Sequence, residues 1–210
     1  MIKSDSESRR SKMTRRLMKD ALMELMEDRP LASVSITELC NRADVNRSTF
    51  YSYYSDLLQL LKEIEDDIIG QLPEAKPIDD CADPDRQLIE EFTLFFGYVR
   101  KHARDFFILL QSGDIHFRER LIDTIMSRFR RQPKEAIDPL MSRWSYIYCL
   151  NGTFGMMRDW ISQDFPVSDR EFAELVLMMS FRASGLPKCS DHRGSGQTLP
   201  GGAASKQGQE

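Results

Sequence analysis

The stretch SITELCNRADVNRSTFYSYYSD, residues 35–56, leaves this chain few ways to fold. Ser35 is a good helix N-cap, and Glu38 three residues later completes a capping box. Ile36, Leu39, Cys40 and Ala43 then recur at i, i+3, i+4 and i+7, which lays one apolar face along a helix. That helix stops at Ala43-Asp44-Val45: Asp tolerates a left-handed backbone better than most non-glycine residues, and Val45 can tuck into a core. Asn46 is placed to cap a second helix running through Arg47, Ser48, Thr49, Phe50, Tyr51, Ser52 and Tyr53. A helix this short does not stand alone in water, so its neighbours must hold it. Phe50 and Tyr54, four apart, supply the inward grip. The other faces carry Arg47, Ser48, Thr49, Tyr51 and Tyr53, mostly hydrogen-bond donors with little net charge. A short polar helix pinned across another suits insertion into the DNA major groove.

The same residues resemble the N-terminal helix-turn-helix of TetR-family transcriptional regulators. Ser35 stands where that family opens helix 2, Ala43-Asp44-Val45-Asn46 stands at its turn, and Thr49-Phe50-Tyr51 with Tyr53-Tyr54 stands at its aromatic helix 3. The resemblance spans roughly residues 12–70. Asp44 replaces the usual turn glycine. Leu57 stands where the family often has the lysine that opens helix 4 and touches a phosphate, which shifts that load to Arg47, Tyr51 and Tyr53. The DNA-facing set expected on this basis is Arg15, Arg16, Ser35, Thr37, Asn46, Arg47, Ser48, Thr49, Tyr51 and Tyr53, and the expected partner is a palindromic double-stranded operator.

The formal charge of -4 does not itself suggest nucleic acid, but its distribution does. Arg9, Arg10, Lys12, Arg15, Arg16 and Lys19 fall together with no acid among them, while Glu63, Glu65, Asp66, Asp67 and the stretch 74–85 are acidic. A basic N-terminus on an acidic body points to a localised anionic partner. The four cysteines are scattered without a CxxC pair, so neither a disulfide framework nor a metal site is expected, and no cofactor is. No apolar run approaches the ~20 residues of a membrane span. The opening MIKSDSESRRSK lacks an apolar signal segment, and the expected setting is the cytoplasm.

In chain order the sequence predicts a disordered basic arm over 1–10 and a DNA-binding domain over 11–56. A connecting helix over 57–71 follows, then a helical effector-binding and dimerisation domain over 72–187 and a disordered tail over 188–210. Helix 1 covers 11–28, with Met13, Leu17, Ala21, Leu22 and Leu25 inward. Asp56 caps a helix striped by Leu57, Leu60, Leu61, Ile64 and Ile68. Later helices are expected at 84–101, 103–112, 114–131, 137–163 and 168–184, punctuated by Gly113 and Pro133, with Ser168 and Glu171 forming a second capping box. No strict alternation suggests a strand, so the class is all-α.

Aromatic side chains are dense in the second domain. A family-like effector pocket there is expected to draw on Phe92, Phe95, Phe96, Phe106, Phe129, Trp144, Tyr148 and Asn151, for a small apolar or amphipathic molecule. The last two helices each carry two apolar stripes, and the stripe Phe154, Met157, Ile161, Phe172, Val176, Met179 and Ala183 is expected to bury against a second copy in a homodimer. The chain contains no GxSxG, HExxH, GxGxxG or P-loop pattern, so it does not read as an enzyme. It reads as a transcriptional regulator, a repressor released by a small effector. The alternative is a dimeric DNA-binding protein controlled by a protein partner. An apolar cavity favours the first and a filled second domain favours the other.

Overall fold

The computed structural model describes residues 2–74, 84–111, 115–128 and 139–184. Phe129, Gly113, Pro133 and the tail 188–210 lie outside the described residues. Every regular element among those described is helical. None of these helices is long and apolar enough to cross a membrane.

Helix α1 spans Ile2–Met26. It therefore runs through residues 2–10, where the sequence predicts disorder. No Pro or Gly interrupts that stretch, so its helix propagates from the anchored half. Met18, Ala21, Leu22 and Leu25 are its buried residues, but Met13 and Leu17, expected inward, are exposed. The apolar spacing predicts the buried face from Met18 onward but not ahead of it. A short 3-10 turn over Leu31–Ser33 follows.

The next three helices close a bundle on α1. Helix α2 spans Ile36–Arg42, and the Ser35 hydroxyl accepts from the Glu38 N–H at 3.2 Å, as its cap position predicts. Asp44 takes φ 53°, the left-handed turn expected of it. Helix α3 spans Arg47–Tyr51 and α4 spans Leu57–Gly70. Asn46 sits at the N-cap of α3 but its side chain makes no cap hydrogen bond, contrary to expectation. Asp56 caps α4 by accepting from the Gln59 N–H at 2.8 Å. Leu60, Leu61, Ile64 and Ile68 are buried and Leu57 is partly buried against them.

The second half holds α5 (Pro84–Lys101), α6 (Ala103–Gln111), α7 (Ile115–Arg128), α8 (Pro139–Ser162) and α9 (Asp169–Ser184). Helix α9 packs along α5 and α8, and α6 packs on α8. Their centre is aromatic: Trp160 stacks on Phe172 with centroids 4.4 Å apart, and Phe96 meets Phe172 edge-on at 4.7 Å. The α8–α9 turn is strained, with Asp164 at φ 54° and Phe165 at φ 60°. A bulky residue there costs on the order of 1–2 kcal/mol, which packing of Phe165 on Trp160 at 4.8 Å offsets. Arg100 locks this turn by donating to Asp169 at 2.6 Å and to the Val167 carbonyl at 3.1 Å, with its guanidinium over Phe165. The expected capping box is present, the Ser168 N–H donating to Glu171 at 2.9 Å and the Glu171 N–H to Ser168 Oγ at 3.3 Å.

The two halves share one continuous core. Polar ties cross between them. The Tyr98 hydroxyl donates to the Ile68 carbonyl at 2.9 Å, Arg120 binds Glu65 at 2.7 Å and also Asp66, and Arg104 pairs with Glu27.

Candidate nucleic-acid interface

The reading head follows from how α3 is gripped. Phe50 and Tyr54 are buried with ring centroids 5.8 Å apart, as their spacing predicts. This fixes the rotation of α3 and leaves Arg47, Ser48 and Tyr51 exposed. Asn46, Ser35 and Thr37 are also exposed, while Thr49 and Tyr53 are half-buried. Eight of the ten predicted DNA-facing residues thus belong to α2, α3 and the residues flanking them. The Ser52 hydroxyl donates to the Thr49 carbonyl at 2.6 Å, closing the last turn of α3. The platform beneath is tied down at Glu38, whose carboxylate pairs with Arg29. That bond holds the Glu38 carboxyl below its ordinary pKa.

The other two predicted residues lie on α1 and part company. Arg15 turns inward: its Nε donates to the Tyr54 hydroxyl at 3.3 Å and its other end pairs with Glu63. Burial pushes the Glu63 carboxyl up, but Arg15 and Lys19 together outweigh it and hold the group below its usual range. Arg15 therefore braces Tyr54, just beyond α3, where a phosphate contact is expected of it. Arg16 faces outward, 78% exposed, with Asp20 no nearer than 3.7 Å.

In the second domain the two apolar stripes are exchanged relative to expectation. Phe154, Met157, Phe172 and Val176, expected at a dimer interface, are buried within the protomer, and Ile161 is half-buried. The side chain of Ala183 lies outside the described residues. Trp144 and Tyr148, expected in an effector pocket, are 57% and 71% exposed, and Asn151 is exposed with its amide on the Ile147 carbonyl at 2.8 Å. Both stripes have helical period, so spacing alone assigns neither to the inside. The outward stripe of α8 also carries Leu140 and Ile147, and α9 exposes Leu175 and Met179. Of these only Met179 was expected at an interface; Ile147, whose spacing sets it on the stripe of Phe154 and Ile161, is exposed instead. Gly152 and Gly155 continue the stripe with open space where a Cβ would stand. The remaining predicted pocket residues fill space instead of lining it: Phe95 meets Phe96 at 5.1 Å, Phe92 lies 6.1 Å from Phe96, and Phe106 packs on Phe117.

Two family-level patterns match the chain. Residues 20–64 match the bacterial regulatory proteins of the tetR family, and residues 86–182 match a transcriptional regulator C-terminal region of TetR type. Among solved structures, a TetR transcriptional regulator from Streptococcus agalactiae is 21% identical with a TM-score of 0.63, over 84% of this chain and 98% of that one. A tetR-family regulator from Streptomyces coelicolor is 17% identical with a TM-score of 0.53, over 81% and 79%. NalD, the secondary repressor of the MexAB-OprM multidrug efflux pump in Pseudomonas aeruginosa, is 20% identical with a TM-score of 0.51, over 81% and 96%. No curated protein sequence matches.

Proposed function

The chain belongs to the TetR family of bacterial DNA-binding transcriptional regulators, and on that premise we propose that it works as a homodimeric repressor of a palindromic operator. The observation that carries this reading is the fixed rotation of α3, which buries Phe50 and Tyr54 and turns Arg47, Ser48 and Tyr51 outward. Arg47 stands in the first turn, where a recognition helix reaches base edges. Its guanidinium can donate two parallel bonds to guanine O6 and N7. Ser48 is small enough to let the backbone approach, and Tyr51 and Tyr53 take up phosphates in place of the missing lysine at Leu57.

The dimer forms through the outward stripes of α8 and α9. Trp144, Ile147, Tyr148 and Met179 leave apolar surface in water that a second copy covers, and Gly152 and Gly155 permit close helix approach. Two reading heads then meet successive major grooves about 34 Å apart. Occupying a site that overlaps a promoter represses without any further contact. Release by a small effector inside the aromatic cluster needs room that Phe96, Trp160 and Phe172 already occupy. That packing favours the second reading, control by a protein partner. The test is selection of duplexes from a random pool. A two-fold symmetric sequence with half-sites a helical turn or a multiple apart supports the reading, and recovery of no preferred sequence refutes it.

A further inference from the structure

From residue 9, where the side chains of α1 are described, Met18 is the first that is buried, in a helix that starts at Ile2. At 1.5 Å per residue this leaves roughly 24 Å of helix ahead of the anchored part. Arg15, at the root of this projection, bonds the hydroxyl of Tyr54, a few residues beyond α3. The projection therefore leaves the domain beside the reading helix.

Its cations differ in whether a carboxylate meets them. Those turned toward α4 are neutralised there: Arg15 by Glu63, and Lys19 by Glu63 and Asp67, each at 2.5 Å from its Nζ. Lys12 and Arg16, four apart, are exposed, and Lys12 has no carboxylate partner among the described residues. Arg9 continues the same stripe at helical spacing. The rest of the chain is acidic enough to bring the formal charge to -4, so this stripe is a local exception. Cations spaced along one face of a helix, beside a helix that enters a groove, match the charge of a DNA backbone.

We propose that the projecting half of α1 is a second DNA-contacting element, in which Lys12 and Arg16 grip duplex phosphates outside the groove entered by α3. This deepens the DNA-binding reading and rests on it. The stripe adds affinity and salt dependence without reading bases. Met13 and Leu17 lie exposed beside it, and a basic stripe flanked by apolar residues is also the signature of a helix lying on an anionic lipid surface. Lipid is therefore the competing outcome.

The test starts from the full-length protein and a duplex that it selects from a random pool. Lys12→Gln/Arg16→Gln is compared with wild type by band shift over a range of salt. The selected sequence should be unchanged. The slope of log K against log salt should become shallower by about 0.9 for each phosphate that the variant no longer neutralises, roughly 3–4 for a dimer that gives up two cations per protomer. Circular dichroism should match wild type, because both side chains are exposed. An unchanged slope in a folded variant overturns the proposal while leaving the DNA-binding reading intact. So does a variant that loses binding only to phosphatidylserine vesicles. If wild type selects no sequence at all, the DNA-binding reading fails and this proposal falls with it.

Discussion

Replacing Tyr148 by Asp should separate the dimer without unfolding the protomer. At 71%, Tyr148 is the most exposed of the large apolar side chains described. Its ring rests on nothing that the protomer needs, and surface substitutions of this kind stay within about 0.5 kcal/mol. In a two-fold dimer the change counts twice. A central aromatic at an interface is worth about 2 kcal/mol or more, so two copies cost on the order of 4 kcal/mol. At 1.4 kcal/mol per tenfold, the dimer should weaken about a thousandfold. Sedimentation equilibrium over a range of concentrations measures this, with far-UV circular dichroism as the folding control. Val176→Asp is the contrast. That side chain is buried between α9 and the core, and a buried carboxylate costs several kcal/mol. Val176→Asp should therefore lose its helical signal. A Tyr148→Asp protein that associates as tightly as wild type would refute the assignment of the outward stripe. A folded, monomeric Val176→Asp protein would return the interface to the inward one.

Arg47→Ala should cost about 1–3 kcal/mol per half-site on the selected operator and relax preference at one base position; identical selected sequences from both proteins would mean that Arg47 binds phosphate alone. Glu63→Gln should lower stability near neutral pH. Because the folded Glu63 carboxyl sits below its ordinary range near 4.3, its contribution is present above that range and lost as pH falls through the folded value, so urea midpoints of the two proteins should differ at neutral pH and converge only in acid, once the folded carboxyl is protonated. Asp44→Gly should be neutral or stabilising and Asp44→Val destabilising by about 1–2 kcal/mol, since φ is 53° there and a β-branched residue resists it; equal melting temperatures for the two would deny the turn its strain. Phe172→Ala should cost about 3–5 kcal/mol in thermal unfolding, as the ring lies between Phe96 and Trp160.

Local chemistry, read from residues a few positions apart, determined the DNA-binding half. The Ser35 cap, the left-handed Asp44, the Phe50–Tyr54 grip and the Asp56 cap are each decided within about five residues, so spacing suffices to predict them. The helical class, and the start of α5 at Pro84, follow from the same local signals. What tertiary structure alone decided is which of two equivalent faces is buried. Trp144 and Tyr148 on one side of α8, and Phe154 and Met157 on the other, obey the same 3.6-residue period. The choice rests on Phe96 and Phe172, which arrive from distant positions and stack around Trp160. Arg15 and Arg16 make the same point with charge. They are neighbours in sequence, but helix geometry turns one toward Glu63 on α4 and leaves the other in solvent. A side chain's partner across 48 residues is set by how α1 crosses α4, and no window of sequence holds that angle.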